Sequence, residues 1–181
     1  MTRGRPWQRA EIPGPIKAFI IEKPESLAAL MKRAKRLVIV VGNKLAYREE
    51  LGAEPEELLV DMAKALGAHL VATGKNFRTL RGRGYEHVYL MPAPEIADRL
   101  RDPSWRGLDG GGQYSMAVFV GFPYYYEWVL LNGLKHSAYK HLKTVSLDPY
   151  YHPNATFALP NMSPEDWFNY LKEVVKALRG E

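Results

Sequence analysis

The segment AKRLVIVVG, residues 34–42, contains the run that decides the fold of this 181-residue chain. From Leu37 to Val41 every position is apolar and most are β-branched, and the run ends at Gly42. A strand with one face in water alternates apolar and polar residues, whereas a continuous apolar run is typical of a strand buried on both faces. Such strands belong to parallel sheets that are covered by helices on both sides. We therefore predict an α/β domain built around a mostly parallel sheet.

Strand and helix patterns alternate along the rest of the chain. Further strands are predicted at 68–73, 87–90, 116–120 and 143–147, with a short extended piece at 16–21. Helices are predicted from Pro24, at 56–66, 94–101 and 124–134 and after Ser163, with a short helix or loop at 76–83. Parallel strands need crossover connections, and right-handed crossovers on both faces give a doubly wound, three-layer fold. We predict one domain at 24–181, preceded by a basic arm at 1–23.

The composition argues against several classes of site and partner. The chain has no cysteine, so it cannot form a disulfide, a thiolate zinc site or a cysteine-ligated iron–sulfur cluster, and its five histidines lack a metal-binding spacing. No apolar run is long enough to cross a membrane, and the amino terminus does not read as a secretory signal, so we expect a cytoplasmic protein. The net charge of +5 is spread without a recognition motif, so no nucleic-acid partner is expected. The arm, with Arg3, Arg5 and Arg9, is expected to meet an acidic partner.

The predicted strand ends define a candidate ligand crevice. In doubly wound sheets, ligands bind beyond the carboxyl ends of the strands, where the strand order reverses. The candidate cofactor-binding residues are Gly42, Asn43, Thr73, Gly74, Lys75, Gly121, Phe122 and Asp148. Each glycine is also explained by a tight turn between a strand and a helix, so both interpretations stay open. The dinucleotide fingerprint is absent, because the chain reads GNKLAY after Val41 where GxGxxG is required, and there is no P-loop.

Catalytic motifs are scarce in this sequence. Asp148 at a strand end and His152 nearby could form an acid/base pair. An aspartate that precedes Pro149 is more typical of a turn or a helix cap. We therefore predict no catalytic residue, and a free-standing nucleotide-dependent enzyme is the least favoured function.

Two groups of tyrosines stand at neighbouring strand ends. Tyr124, Tyr125 and Tyr126 are consecutive, and successive helical residues point about 100° apart, so at least one must face the crevice or the solvent. Tyr150 and Tyr151, with His152, follow the next strand. Aromatic side chains with polar ends suit a protein interface or stacking on a flat ring, although some of them will simply cover the core. These six residues are the candidate partner-binding set.

Three stretches of the chain resemble a known family. They are AKRLVIVVG (34–42), DPSWRGLDGGGQYSMAVFVGFPYYY (102–126) and LKTVSLDPYYHPNATFALPNMSPEDW (142–167). The chain resembles the epsilon subunit of the archaeal acetyl-CoA decarbonylase/synthase complex, which is associated with CO dehydrogenase. The resemblance implies a Rossmann-like fold of the FAD/NAD-binding class, as in the central domain of thiamine-diphosphate enzymes. It also implies a non-catalytic partner of the large nickel–iron–sulfur (alpha) subunit in an alpha2-epsilon2 assembly that interconverts CO and CO2 in methanogens and related archaea.

The family resemblance leaves two roles for this chain. It would either stabilise the large subunit or help to pass electrons to FAD. Because the chain has no cysteine, an electron role would need a bound flavin or would act by positioning the partner. We expect an accessory subunit that works through an interface, with an FAD-binding electron-transfer module as the alternative. Self-association of the chain is left open.

Overall fold

The computed structural model describes residues 16–45 and 54–181, in which seven strands form one sheet. The strands are β1 (Phe19–Ile20), β2 (Leu37–Val41), β3 (His69–Ala72), β4 (Val88–Leu90), β5 (Met116–Val120), β6 (Lys143–Ser146) and β7 (Phe157–Ala158). The helices are α1 (Pro24–Lys32), α2 (Pro55–Leu66), α3 (Asn76–Gly82), α4 (Ala93–Arg101), α5 (Tyr124–Ser137) and α6 (Pro164–Arg179). Every pair of neighbouring strands is parallel. The predicted α/β, Rossmann-like class is confirmed.

The order of the strands locates the point at which the sheet reverses direction. The sheet runs β1-β7-β6-β5-β2-β3-β4. From β2 the chain builds outward through β3 and β4, then returns to the other side of β2 with β5 and continues through β6 and β7. Val38 accordingly pairs with His69 on one side and Ala117 on the other. The reversal lies between β2 and β5, whose strands end next to Gly42 and Gly121.

Helices cover the two faces of the sheet unequally. One face packs against α1, α2, α3 and α6, and its core includes the fully buried Trp167, whose indole Nε1 donates to the Leu147 carbonyl oxygen at 2.8 Å. The core on the other face is built with α4 and α5. Within residues 16–45 and 54–181, therefore, four helices cover one face and two cover the other.

Local signals explain where several helices begin and end. Ser163 precedes α6, and its side chain accepts a hydrogen bond from the Asp166 amide at 3.1 Å, which satisfies one of the free N–H groups of the first turn. Gly67 ends α2 at φ 59°, a left-handed conformation that costs glycine little. In the described part of the chain, no helix has the length and apolar character needed to cross a bilayer.

Two short strands differ from the prediction: β7 was not predicted, and β1 lies within the segment that was predicted as an arm. β7 has only two residues, too few to show a periodic pattern, and it pairs with β1 and β6. β1 begins at Phe19, so the sheet starts within the segment that was predicted as an arm at 1–23. The arginines of that arm lie outside the described residues. Helix α5 runs to Ser137, beyond the predicted end at Leu134. The prediction stopped there because Leu134 is the last buried residue of the helix.

Candidate functional site and aromatic face

The loops at the reversal point contact each other directly. The Gly42 amide donates to the Val120 carbonyl oxygen, and the Lys44 amide donates to the Gly121 carbonyl oxygen, each at 2.8 Å. A Cβ atom placed at Gly42 would overlap the Gly121 carbonyl group. Gly121 itself has a φ of 79°, which L side chains rarely adopt. Close packing of the two loops therefore accounts for both glycines.

The loops after β2 and β3 are also joined to each other. Asn43 Oδ1 accepts a hydrogen bond from the Lys75 amide at 2.8 Å, and Asn76 Nδ2 donates to the Gly42 carbonyl oxygen at 2.8 Å. A Cβ atom at Gly74 would collide with the Asn43 side chain. The structure thus brings together one predicted group: Gly42, Asn43, Thr73, Gly74 and Lys75.

Asp148 holds the turn that leads into α5. Its side chain is buried, and its two oxygens accept hydrogen bonds from the Gly121 amide at 2.8 and 3.0 Å. Oδ2 also accepts one from the Phe122 amide at 3.2 Å. The Phe122 ring is buried in turn, with its centroid 6.1 Å from that of Phe119. Asp148 therefore acts as a turn-stabilising group, which was the second interpretation of its position before Pro149.

A second buried carboxyl group lies beside Asp148. Glu127, in the first turn of α5, is fully buried, and burial followed by the neighbouring Asp148 charge raises its pKa well above the usual range. Burial also raises the pKa of Asp148 to about 6. The pair therefore favours keeping a proton between its two carboxyl groups. This pair could not be recognised from the sequence, because an acidic residue in the first turn of a helix is common on exposed surfaces.

His152 completes the buried group but carries no charge. Its Nε2 lies 3.5 Å from Glu127 Oε2, and burial lowers the pKa of the imidazole to about 3. Since burial favours the neutral form of both side chains, this contact is not a salt bridge. Glu127 lies beside both Asp148 and His152, so the two residues that the sequence suggested as an acid/base pair are linked through a group that it missed.

Several of the strand-end amides that could meet the pyrophosphate of a flavin are already engaged within the chain. That group would need free backbone N–H donors at the reversal point. The amides of Gly42, Lys44, Lys75, Gly121 and Phe122 all donate to partners within the chain. One of those partners is the Asp148 carboxyl group, whose negative charge would repel a phosphate. Flavin binding stays a prediction from the resemblance. Across 16–45 and 54–181, no group of three or more histidine and acidic side chains is arranged to hold a metal ion.

The outer side of α5 carries an exposed aromatic surface. Tyr125 is 75% exposed and Val129, one turn later, is 63% exposed. Tyr124 and Trp128 flank them, with ring centroids 6.4 Å apart. We call these four residues the α5 face. The expectation that the three consecutive tyrosines cannot all face the core is confirmed by Tyr125. Trp128 and Val129 were missed, although their spacing of three and four residues from Tyr125 places them on the same side of a helix.

The remaining predicted partner-binding residues lie deeper. The Tyr151 hydroxyl is buried and donates to the Ala18 carbonyl oxygen at 2.9 Å. His152 is buried and stacks under the Tyr124 ring with centroids 4.1 Å apart. Tyr126 is half-buried against Phe122, at a centroid distance of 6.1 Å. Tyr150 is half-buried as well, and Tyr125 is the residue of the predicted set that is most accessible to a partner.

Comparison with known proteins connects this fold to one family. The model of the family described as CO dehydrogenase beta subunit/acetyl-CoA synthase epsilon subunit matches residues 1–175. The chain belongs to this family. Its curated relatives in the family are named as the epsilon subunit of the acetyl-CoA decarbonylase/synthase complex. The resemblance stated from the sequence is confirmed.

Relatives from three archaea match over most of their length. The epsilon subunit of Methanothermobacter thermautotrophicus is 36% identical over 172 residues, which cover 93% of each chain. That of Methanothrix soehngenii is 34% identical over 181 residues, covering 96% of this chain and 91% of the relative. Epsilon subunit 1 of Archaeoglobus fulgidus is 33% identical over 159 residues, with 86% and 83% covered.

Proposed function

We propose that this chain is a non-catalytic accessory subunit of an acetyl-CoA decarbonylase/synthase complex, in which it binds and stabilises the large CO dehydrogenase subunit. The observation that carries the proposal is the family match, which extends over nearly the whole chain, together with relatives that are themselves named as subunits of that complex. The buried polar groups described above support this role, because Asp148 serves a turn and His152 serves packing.

The α5 face is the surface that we propose for contact with the large subunit. Aromatic side chains are enriched at the centres of protein interfaces, where a few of them contribute most of the binding free energy. Tyr125 and Val129 are held on a helix whose opposite side is anchored in the core by Leu130 and Leu131. A rigid aromatic surface of this kind loses little conformational entropy on binding.

We further propose that two copies of this chain assemble with two large subunits. Sedimentation analysis of the reconstituted complex gives its mass, and a mass that corresponds to two of each chain is expected. A complex with unequal numbers of the two chains would contradict this stoichiometry.

The docking surface is tested with a double variant of the exposed side chains. Tyr125→Ser with Val129→Ser removes two apolar groups without disturbing the core. Affinity for the purified large subunit, measured by biolayer interferometry, is expected to fall roughly tenfold or more, since truncating interface anchors typically costs 1–2 kcal/mol or more each. Leu90→Ser is the matched control, because Leu90 is 60% exposed and lies on β4 at the far edge of the sheet. Unchanged affinity of a folded double variant would contradict this surface.

A further inference from the structure

A groove with a volume of about 490 Å³ lies between the end of α5 and the starts of β1, β6 and β7. Its position follows from the topology. Because α5 connects β5 to β6, a right-handed crossover places it over those two strands, and β7 and β1 lie beyond it. The connection from β6 to β7 contains no helix. On this face, therefore, the described chain has no helix over the last two strands, and the groove lies where one would pack.

The groove contains an unusual concentration of exposed apolar side chains. Of the six large apolar side chains that are exposed in the described part of the chain, three line this groove: Ile16 at 72%, Phe19 at 68% and Tyr139 at 59%. Isolated exposed apolar residues are ordinary on protein surfaces, but several in one concave site mark a surface that binds a partner.

The rim of the groove is basic. Lys17, Lys135, His136 and Lys143 line it, and no aspartate or glutamate is among the described residues that do so. Lys140 adds a further positive charge, with its Nζ 6.0 Å from the centroid of the Tyr139 ring. An occupant with carboxylates around an apolar centre is complementary to this site. A second copy of the chain is not, because a symmetric contact would place the same lysines opposite each other.

The groove continues the α5 face. The exposed positions Tyr125, Val129, Asn132 and His136 follow one another at spacings of three or four residues, so they lie along one side of α5. His136 is the point at which this line enters the groove. Eleven residues of helix separate it from Tyr125, a distance of about 16 Å. One partner can therefore contact both surfaces.

We propose that this groove receives an apolar, carboxylate-bearing segment of the large CO dehydrogenase subunit. The inference rests on the proposed function, because it takes the same partner, and it adds the chemistry of the segment that is bound. The apolar side chains of the segment lie against Ile16 and Tyr139, and its carboxylates pair with Lys17 and Lys143.

Two variants of the full chain test the groove by separate means. Ile16→Ser with Tyr139→Ser removes the apolar contacts, and Lys17→Glu with Lys143→Glu reverses the charge of the rim. All four side chains are exposed, so both variants are expected to fold. Lys35→Glu with Lys172→Glu is the charge-matched control, since both lysines are exposed and neither lines the groove: Lys172 lies on α6 and Lys35 lies between α1 and β2. Affinity for the purified large subunit is measured at low and moderate salt, with circular dichroism to verify folding.

The expected outcome is a loss of roughly tenfold or more in affinity for each groove variant. The charge variant should also show a weaker dependence of affinity on salt, whereas the control stays within about twofold of the wild type.

Groove variants that fold and bind like the wild type, while the Tyr125→Ser and Val129→Ser variant does not, would overturn the groove proposal and leave the proposed function standing. Unchanged binding of all these variants would overturn both proposed surfaces, whereas failure of the wild-type chain to bind the purified large subunit would overturn the proposed function. Loss of a self-associated form of the chain, with unchanged affinity for the large subunit, would identify a second copy as the occupant and would also overturn the groove proposal.

Discussion

Glu127 and Asp148 illustrate how single residues in this fold are governed by burial. Both carboxyl groups lie inside the protein, and burial raises both pKa values, that of Asp148 to about 6. The folded chain therefore binds more protons than the unfolded chain at pH values between the ordinary and the raised pKa values. Under these conditions the free energy of unfolding falls as the pH rises. His152 acts in the opposite direction, but only below its ordinary pKa of 6.5, because its folded pKa is lowered to about 3.

Glu127→Gln separates these contributions. Above its ordinary pKa the imidazole no longer contributes, and the free energy of unfolding of the wild type should fall with rising pH for as long as the folded chain keeps the Glu127 proton that the unfolded chain has lost. Glutamine has no proton to lose and can still donate to Asp148, so the free energy of unfolding of the variant should fall less steeply with pH than that of the wild type. Urea denaturation at several pH values measures the effect. Glu86→Gln, at an exposed position, should retain the wild-type slope. Parallel curves for the wild type and Glu127→Gln would contradict the buried pair.

Gly42 tests the contact between the two strand-end loops. A methyl group at this position meets the Gly121 backbone, which cannot move without breaking hydrogen bonds, so Gly42→Ala should cost about 3 kcal/mol of unfolding free energy. Gly133→Ala is the matched control: it lies within α5 with open space around it, and alanine there should stabilise the chain by up to about 1 kcal/mol. Denaturation midpoints compare the two variants. An unaffected Gly42→Ala variant would show that the loops do not pack as described.

The exposure of aromatic residues on α5 was easier to predict from the sequence than the positions of the buried polar residues. The geometry of three consecutive helical tyrosines was enough to predict that at least one of them would face the crevice or the solvent, and the structure shows that Tyr125 does so. Nothing comparable identifies Glu127, because its burial depends on the loop after β6, which is distant in sequence. The turn role of Asp148 was one of two interpretations, and the contacts with Gly121 and Phe122 are what favour it.

At the scale of elements, long periodic segments were predictable and short ones were not. β2 and β5 were predicted with the bounds that they have, because continuous apolar runs leave little choice. β7 was missed because two residues carry no pattern, and its place in the sheet is set by the pairing of Phe157 with Phe19 of β1 and Val145 of β6. The groove beside α5 depends on that strand, so it too was beyond prediction from the sequence.

The first turn of α6 provides a test of one local signal. Ser163→Ala removes the side-chain acceptor of the Asp166 amide and should lower the free energy of unfolding by about 1 kcal/mol. Ser137→Ala serves as the control, because its hydroxyl bonds only to the Gly133 carbonyl oxygen of its own helix and its loss should be close to neutral. Equal stability of the two variants in urea would show that the cap contributes nothing.

At the scale of the whole molecule, the described parts of the loops at the reversal point are bonded to each other, and the exposed apolar surface lies elsewhere. The loops after β2, β3 and β5 share their hydrogen bonds among themselves. The apolar exposed area lies along α5 and in the groove. The sequence predicted the doubly wound sheet, because this follows from the alternation of strands and helices, but the position of the reversal between β2 and β5 is known only from the structure. It could not predict that the loops would meet, because that depends on side-chain and backbone contacts between segments far apart in the chain.

Titration of the chain with FAD tests whether a flavin binds at the strand-end loops between β2 and β5. The isolated chain is expected to produce no saturable change in FAD fluorescence at concentrations up to tens of micromolar, because five described amides at the reversal point, including those of Gly42 and Gly121, already donate within the chain. A saturable signal that is lost in Asn43→Ala, a variant that frees the Lys75 amide and alters this loop, would contradict that expectation and restore the electron-transfer alternative.

The role that we propose for this chain is to stabilise the large CO dehydrogenase subunit by binding it. The most direct measurement is the half-life of CO oxidation by the purified large subunit at elevated temperature, with and without this chain. A subunit that binds only the folded partner must slow its inactivation. We predict a half-life several-fold longer with the wild-type chain and little or no gain with the Tyr125→Ser and Val129→Ser variant. Equal half-lives with and without the wild-type chain, at concentrations where the two proteins form a complex, would contradict the account.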